Sequence, residues 1–271
     1  MSDYKQQIID FFNQRTAYDL EGDKHPREAR LLLESVPIQP GQKILDIATG
    51  TGLVAIPAAK KVTEIGSVIG IDMSPGMLAQ AKSKITVEIT AEGLHNIDLI
   101  EADVESIDFE PEQFDVIFCC SAITYICDLL GILNKFHYWL KKGGYLAFTT
   151  PYKTAWMAEI KVKLCQDLFG IDLPHINKPL WTPEKCHLLL EQSGFEDVVI
   201  EIDPSGKYLY SNKVSHRWDG RDFYPRGNPL KDLSSDDREK LQAEYRKAIA
   251  PSETEKGIWL DTTTLYVKAR R

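Results

Sequence analysis

From residue 43 to residue 151, short apolar runs alternate with stretches of helical spacing, and that order leaves few folds open. KILDIA (43–48), SVIGID (67–72), IDLIEAD (97–103), FDVIFCC (114–120) and YLAFTTP (145–151) have the length and apolar density of buried strands. Residues 52–62, 74–85 and 128–141 carry helix patterns between them. Ser74 caps the second of these and Pro75 opens it, while Gly143-Gly144 ends the third. Such a series builds parallel βαβ units and a three-layer α/β domain. Open sheets of that type bind ligands beyond the carboxyl ends of their strands.

The flanks are less regular. Residues 3–16 and 26–36 read as amphipathic helices, the second with Pro26 at its start. After residue 151 come a helix over 153–169, a capped helix within 182–195 and the strand DVVIEI (197–202). The stretch 203–261 is polar, with one helix near 235–249, and TTTLYVKAR (262–270) forms a final strand. Because a strand follows it, 203–261 reads as an insert and not as a separate domain.

The chemistry concentrates in Asp46-Ile-Ala48-Thr-Gly50-Thr51-Gly52, directly after the first strand. Glycines there let the backbone approach a ligand, and the following helix offers free N–H groups. Gly50, Gly52 and Ala55 also satisfy the G-x-G-x-x-A form of the dinucleotide fingerprint. Asp46 separates the two ligand classes. Beside a pyrophosphate it adds like-charge repulsion, whereas beside S-adenosylmethionine (SAM) it meets an ammonium group. Asp72, ending the second strand, suits the ribose hydroxyls of either ligand. Asp103-Val104, ending the third, suits the amine and a ring nitrogen of adenine. Each acid alone has a bland reading as a strand-end or cap residue. Three acids at successive strand ends beside a glycine turn exceed that reading.

LDIATGTG, GIDMSPGML, EADVESIDF, FDVIF and LKKGGYLAFTTP, in this order, resemble the class I SAM-dependent methyltransferases. The nearest branch is the small-molecule one that includes the menaquinone/ubiquinone-biosynthesis C-methyltransferases. The resemblance covers about residues 40–151. It implies a Rossmann-like α/β fold: a seven-stranded, mostly parallel sheet with helices on both faces, its last strand antiparallel, and a helical lid or insert. It places the methionine part of SAM against Thr51 and its neighbours. Asp72 and Met73 would hold ribose and flank adenine, and Asp103 and Val104 would hold adenine. The family's contact after the fourth strand falls on Cys119–Ser121, where Cys119 reads as packing and Cys120 as contact. A single domain over 1–271 follows, with a cofactor half at about 40–151 and lid segments at about 1–36, 152–181 and 203–261.

Methyl transfer needs mainly alignment and exclusion of water, with a base where the acceptor must lose a proton. His25, His175, His216 and Tyr18 are the candidates; in this family the N-terminal helices, with Tyr18 and His25, and the segment after the fifth strand, with His175, wall the acceptor pocket, while His137 and His187 read as packing. Trp156, Trp181, Trp218, Tyr224 and Trp259 suit either an aromatic acceptor or an ordinary lid core. The fourth strand is followed by Ser-Ala-Ile-Thr, so the Pro-Pro-aromatic motif of amino-methyltransferases is missing, and no acid there suggests a metal.

Composition narrows the partners. Forty acidic residues against 32 basic give a net charge of −8, which disfavours nucleic acid. Five cysteines without a C-x-x-C pair argue against a disulfide framework or zinc site and for the cytoplasm. No signal peptide or membrane-spanning run is visible. The sequence thus predicts an enzyme that methylates O, C or N of a small aromatic or hydrophobic metabolite. Its rivals are an NAD(P)-dependent oxidoreductase and a non-catalytic SAM-binding scaffold.

Overall fold

The computed structural model describes residues 3–210, 218, 223–225 and 227–271, with the backbone alone over 88–92; His216 lies outside them. In chain order the elements begin with α1 (Asp3–Asn13), α2 (Lys24–Glu34), β1 (Lys43–Ile47), α3 (Ala55–Val62), β2 (Ser67–Asp72) and α4 (Pro75–Glu92). Next are β3 (Ile97–Glu101), β4 (Phe114–Cys119), α5 (Leu129–Trp139), β5 (Leu140–Pro151), α6 (Ala158–Phe169) and α7 (Pro183–Gln192). Last come β6 (Glu196–Asp203), β7 (Gly206–Leu209), α8 (Ser235–Ile249), β8 (Glu253–Thr254), β9 (Gly257–Asp261) and β10 (Thr264–Arg270). The chain forms two compact units, one of residues 1–150, 186–201 and 266–271, the other of 151–185 and 202–265.

A seven-stranded sheet of order β3-β2-β1-β4-β5-β10-β6 organises the first unit. β1 pairs in parallel with β2 and β4, β2 with β3, and β4 with β5. β5 and β10 run in opposite directions. Gly143 donates to Arg271 at one end of the pair (2.8 Å), and Tyr152 donates to Thr263 at the other (2.9 Å). The expected mostly parallel sheet with one antiparallel strand is therefore present. Its central strands are mainly apolar because both faces are covered: Ile44, Leu45, Val116, Ile117 and Phe118 are fully buried. Chain order reverses between β1 and β4, which opens a crevice at the carboxyl ends of those strands.

One boundary departs from expectation. The helix expected to run to 141 ends at Trp139, and Gly143-Gly144 lie inside β5. Leu140 already has extended dihedrals (φ −72°, ψ 143°). Gly143 takes φ +76°, and a Cβ on Gly144 would stand 2.9 Å from the Asp115 carbonyl oxygen. The pair therefore serves a register shift between β4 and β5. Asp128 caps α5 by accepting the Gly131 amide (2.9 Å).

In the second unit α6 and α8 pack over a core of Cys165, Leu173, Trp218, Leu241, Tyr245 and Ile258. α8 occupies the span expected from the sequence. Ser234 caps it, Asp236 and Asp237 sit in its first turn, and Arg246 and Lys247 in its last. Three short strands, β7-β9-β8, form an antiparallel sheet that the polar composition of 203–261 concealed. Tyr208 and Trp259 face each other across it with ring centroids 5.0 Å apart.

Among the described residues no helix is long and apolar enough to cross a membrane.

Candidate functional site

The glycine turn closes the carboxyl end of β1. Ala48, Gly50 and Gly52 all take positive φ (51°, 57° and 80°). The two glycines meet different demands. A Cβ at Gly52 would lie 2.9 Å from Ile56 Cδ1, so this residue lets α3 close on the turn. A Cβ at Gly50 would find nothing nearer than the Ala48 carbonyl oxygen at 3.9 Å, because that residue faces open space. Gly52 N–H donates to the Thr49 carbonyl (2.8 Å), and Thr49 N–H donates to the Ile71 carbonyl (2.9 Å), tying the turn to β2.

Asp46 is buried beneath this turn, 1% exposed. It accepts the Thr49 hydroxyl (2.7 Å) and the Ala55 amide. Burial pushes its carboxyl up to about 7; those two bonds oppose the rise and the Asp72 carboxylate adds to it. Asp72, at the end of β2, accepts Gly50 N–H (2.8 Å) on one oxygen and Ser74 N–H (2.8 Å) on the other. Burial raises its carboxyl too, against the bonds from Ser74, Gly50 and Met73. Ser74 caps α4 as expected, its hydroxyl accepting Met77 N–H (3.1 Å).

The third acid is not open. Lys5 of α1 pairs with Asp103 (2.5 Å) and with Glu105 (2.7 Å). Burial alone would lower the Lys5 ammonium, but the bonds to these two carboxylates outweigh it and hold it above its ordinary value. Two more residues, Asn13 and Asp19, fasten the N-terminal region to the turn and to the start and body of α4. Asn13 Oδ1 accepts from Ser74 Oγ (2.8 Å) and Gly76 N–H (2.9 Å). Asp19 accepts the Thr51 hydroxyl (2.5 Å) and pairs with Lys84 (2.6 Å).

At the end of β4, Ser121 adopts φ +54° and donates its amide to Thr149 Oγ1 (2.7 Å). Its hydroxyl donates to Glu28 Oε2 (2.5 Å). Glu28 is buried on α2 and also pairs with Lys24. His25 stacks on Tyr18 at 4.8 Å between centroids, and Arg15 lies over the other ring's π-system at 4.3 Å. Burial pushes the Cys120 thiol up to about 12, so it is a neutral group here.

One cavity of the first unit collects most of the residues singled out in the sequence. Asp46, Ala48, Gly50, Thr51, Asp72 and Met73 line it. So do Asp103, Val104, Cys120, Tyr18 and His25. Gly52 does not, because its role is to admit α3. His175 lies in the second unit, buried, its Nδ1 accepting the Asn177 amide (3.3 Å). None of the five aromatics suggested for the acceptor lines this cavity; Trp218 and Tyr224 belong to the second unit's core. The apolar wall comes from Ile8, Ile9, Phe12, Tyr125 and Ile126 instead. Lys5, Asp19 and Glu28 escaped sequence reasoning because nothing local marks a surface-type residue as a long-range partner.

A family model described as "Methyltransferase domain" matches residues 38–198. Over 153 residues the chain is 37% identical to the aklanonic acid methyltransferase DauC of Streptomyces sp. (strain C5), covering 55% of this chain and 67% of that protein. Over 227 residues it is 27% identical to the demethylmenaquinone methyltransferase of Staphylococcus saprophyticus, covering 74% of this chain and 93% of the relative. The fold also matches Haemonchus contortus phosphoethanolamine N-methyltransferase 2, solved with phosphomonomethylethanolamine and S-adenosylhomocysteine. That match has a TM-score of 0.54 at 21% identity and covers 90% of this chain and 52% of that one.

Proposed function

The chain belongs to the methyltransferase-domain family, and on that premise we propose that it moves the methyl group of SAM to O, C or N of a small aromatic or hydrophobic metabolite. The observation that carries this reading is the convergence of Asp46, Asp72 and Asp103, at the ends of three adjacent strands, on one cavity beside an open-faced Gly50.

The residues present fit the donor. Asp46 is a buried carboxylate with no cationic partner among the described residues, and the ammonium of the methionine moiety supplies one. Asp72 is held rigid by backbone amides with lone pairs left for ribose hydroxyls. Asp103 would share its charge between Lys5 and the adenine amine. When bound, SAM supplies an activated methyl on a sulfonium. The protein's work is to hold the acceptor in line and keep water out, which the apolar wall from α1 and the segment around Tyr125 serves.

A nicotinamide dinucleotide is disfavoured by Asp46, whose charge would face a pyrophosphate. A non-catalytic scaffold would need none of these acids. The two relatives named for aklanonic acid and demethylmenaquinone support a small-molecule acceptor. The cysteine pattern and the charge support a cytoplasmic protein that does not bind nucleic acid. We assign the N-terminal segment up to residue 36 as one that walls the acceptor.

Calorimetric titration with SAM, S-adenosylhomocysteine and NADPH tests the reading. Micromolar binding of the first two alone is expected, and binding of NADPH alone would overturn it. Asp72→Ala should weaken SAM by about 1–3 kcal/mol, the range for a lost hydrogen bond to a charged group. Unchanged affinity in the folded variant would remove Asp72 from the site.

A further inference from the structure

One buried polar atom at the cavity lacks a hydrogen bond: His25 Nδ1. Native structures rarely bury a ring nitrogen this way without a use for it. It faces Glu28 Oε2 at 3.8 Å, a distance that a small side-chain adjustment closes to a hydrogen bond. Glu28 itself is fixed from two other sides, by Lys24 on one oxygen and Ser121 Oγ on the other. Glu28 does not line the cavity, whereas His25 does. A bond from Nδ1–H to that carboxylate would leave Nε2 as the ring's proton acceptor. Tyr18 fixes the ring plane from one face. Once the 3.8 Å gap closes, the pair has the arrangement of a base oriented by a second acid.

Resting on the methyltransferase reading above, we infer that His25 is the general base, that Glu28 positions it, and that the acceptor is an aromatic or enolic hydroxyl. The step balances without a further reagent. The acceptor O–H gives its proton to His25 Nε2, and the oxygen's electron pair forms the O–CH3 bond. The S–CH3 bond breaks, and its electrons neutralise the sulfonium to the thioether of S-adenosylhomocysteine. The imidazolium is stabilised by Glu28 and returns its proton to solvent after product leaves. An amine acceptor attacks with its own lone pair and a carboxylate is already ionised, so neither needs a base before transfer. The apolar wall includes Phe12, Tyr18 and Tyr125, whose rings stand edge-on or tilted to one another, and such a wall suits an aromatic ring.

The electrostatics agree. Burial pushes the His25 imidazole down; Glu28 and Glu21 oppose this, and Lys24 and Arg15 add to it. The ring is thus neutral and able to accept a proton at neutral pH. Burial holds the Tyr18 phenol in its protonated form, so Tyr18 acts as a ring and not as a base.

Nitrogen-15 NMR of histidine-labelled full-length protein tests the pair without any acceptor. The Nδ1–H tautomer is expected for His25, and Glu28→Ala should lose that preference; an Nε2–H or protonated ring in the wild type overturns the pair. Transfer of labelled methyl from SAM to 1-naphthol, 1-naphthylamine and 1-naphthoic acid tests the acceptor class. Preference for 1-naphthol is expected, with kcat down about 100-fold in His25→Asn at unchanged SAM affinity. Transfer mainly to the amine or acid, or to none of the three, overturns the class. Glu28→Gln can still accept from Nδ1–H and should keep the tautomer. It removes the charge that raises the His25 pKa, so the acid limb of its pH profile should move to lower pH; a limb that stays put overturns the positioning role. Failure of the wild type to bind SAM would strike the methyltransferase reading, whereas an Nε2–H tautomer with SAM binding intact strikes only His25 and Glu28.

Discussion

Asp46→Asn should make the ligand-free protein more stable at pH 8 and, in the same molecule, loosen its hold on SAM. Asp46 is buried, and its carboxyl sits near 7 against an ordinary value of 3.8. Because the folded value is the higher one, the folded state binds the proton more tightly than the unfolded chain does. The contribution to stability is therefore present below about pH 4 and lost as pH rises through about 7. Three units correspond to about 4 kcal/mol, and relaxation reduces what is measured, so a gain of about 2–4 kcal/mol at pH 8 is expected. The Thr49 hydroxyl can turn to accept from the new amide, which keeps that contact. Binding has the opposite sign: only ionised Asp46 attracts an ammonium group, so wild-type affinity for SAM should rise through pH 7. The variant should be weaker and flat. Thermal melts at pH 5 and 8, with calorimetry at pH 6 and 8, check both halves. A variant no more stable than wild type at pH 8 would mean that the buried acid carries no electrostatic stress.

Phe118→Ala should cost about 3–5 kcal/mol, the range for deleting a buried aromatic from a packed core. Phe118 is fully buried on β4 and stands in register with Asp46 on β1 and Ala147 on β5. The void would open at the centre of the sheet, beside the strand that carries the most important acid. In urea the midpoint should fall while the slope stays near the wild-type value. A loss below about 1 kcal/mol would show that neighbouring side chains close the space.

The contrast between what the sequence disclosed and what it hid has a physical pattern. Asp46, Asp72 and Asp103 were legible because strand periodicity fixes which residue ends each strand, and a parallel sheet puts those ends together. Ser74 was legible because a cap acts on its own helix. Glu28 was not. On α2 it looks like one more charged residue of a solvated face, and its burial follows only from where α2 lands on the end of β4. Lys5 and Asp19 were hidden for the same reason. The break at Trp139 was misjudged because Gly143-Gly144 carries the same signal for a helix stop as for a bulge. β7 and β9 escaped because Tyr208 and Trp259 are both exposed, so no apolar face alternates along them.

The ion pair of Lys5 with Asp103 spans 98 residues of chain. During synthesis residues 5–19 leave the ribosome before any strand of the sheet exists, yet their partners lie at the end of β2, on α4 and just past β3. Contacts of such long separation form late, since closing the intervening chain costs entropy before any reward. The donor cavity is therefore finished only when most of the unit around it is finished. A ligand that binds this wall recognises completed molecules and not partly folded ones, and it draws the population toward them by mass action.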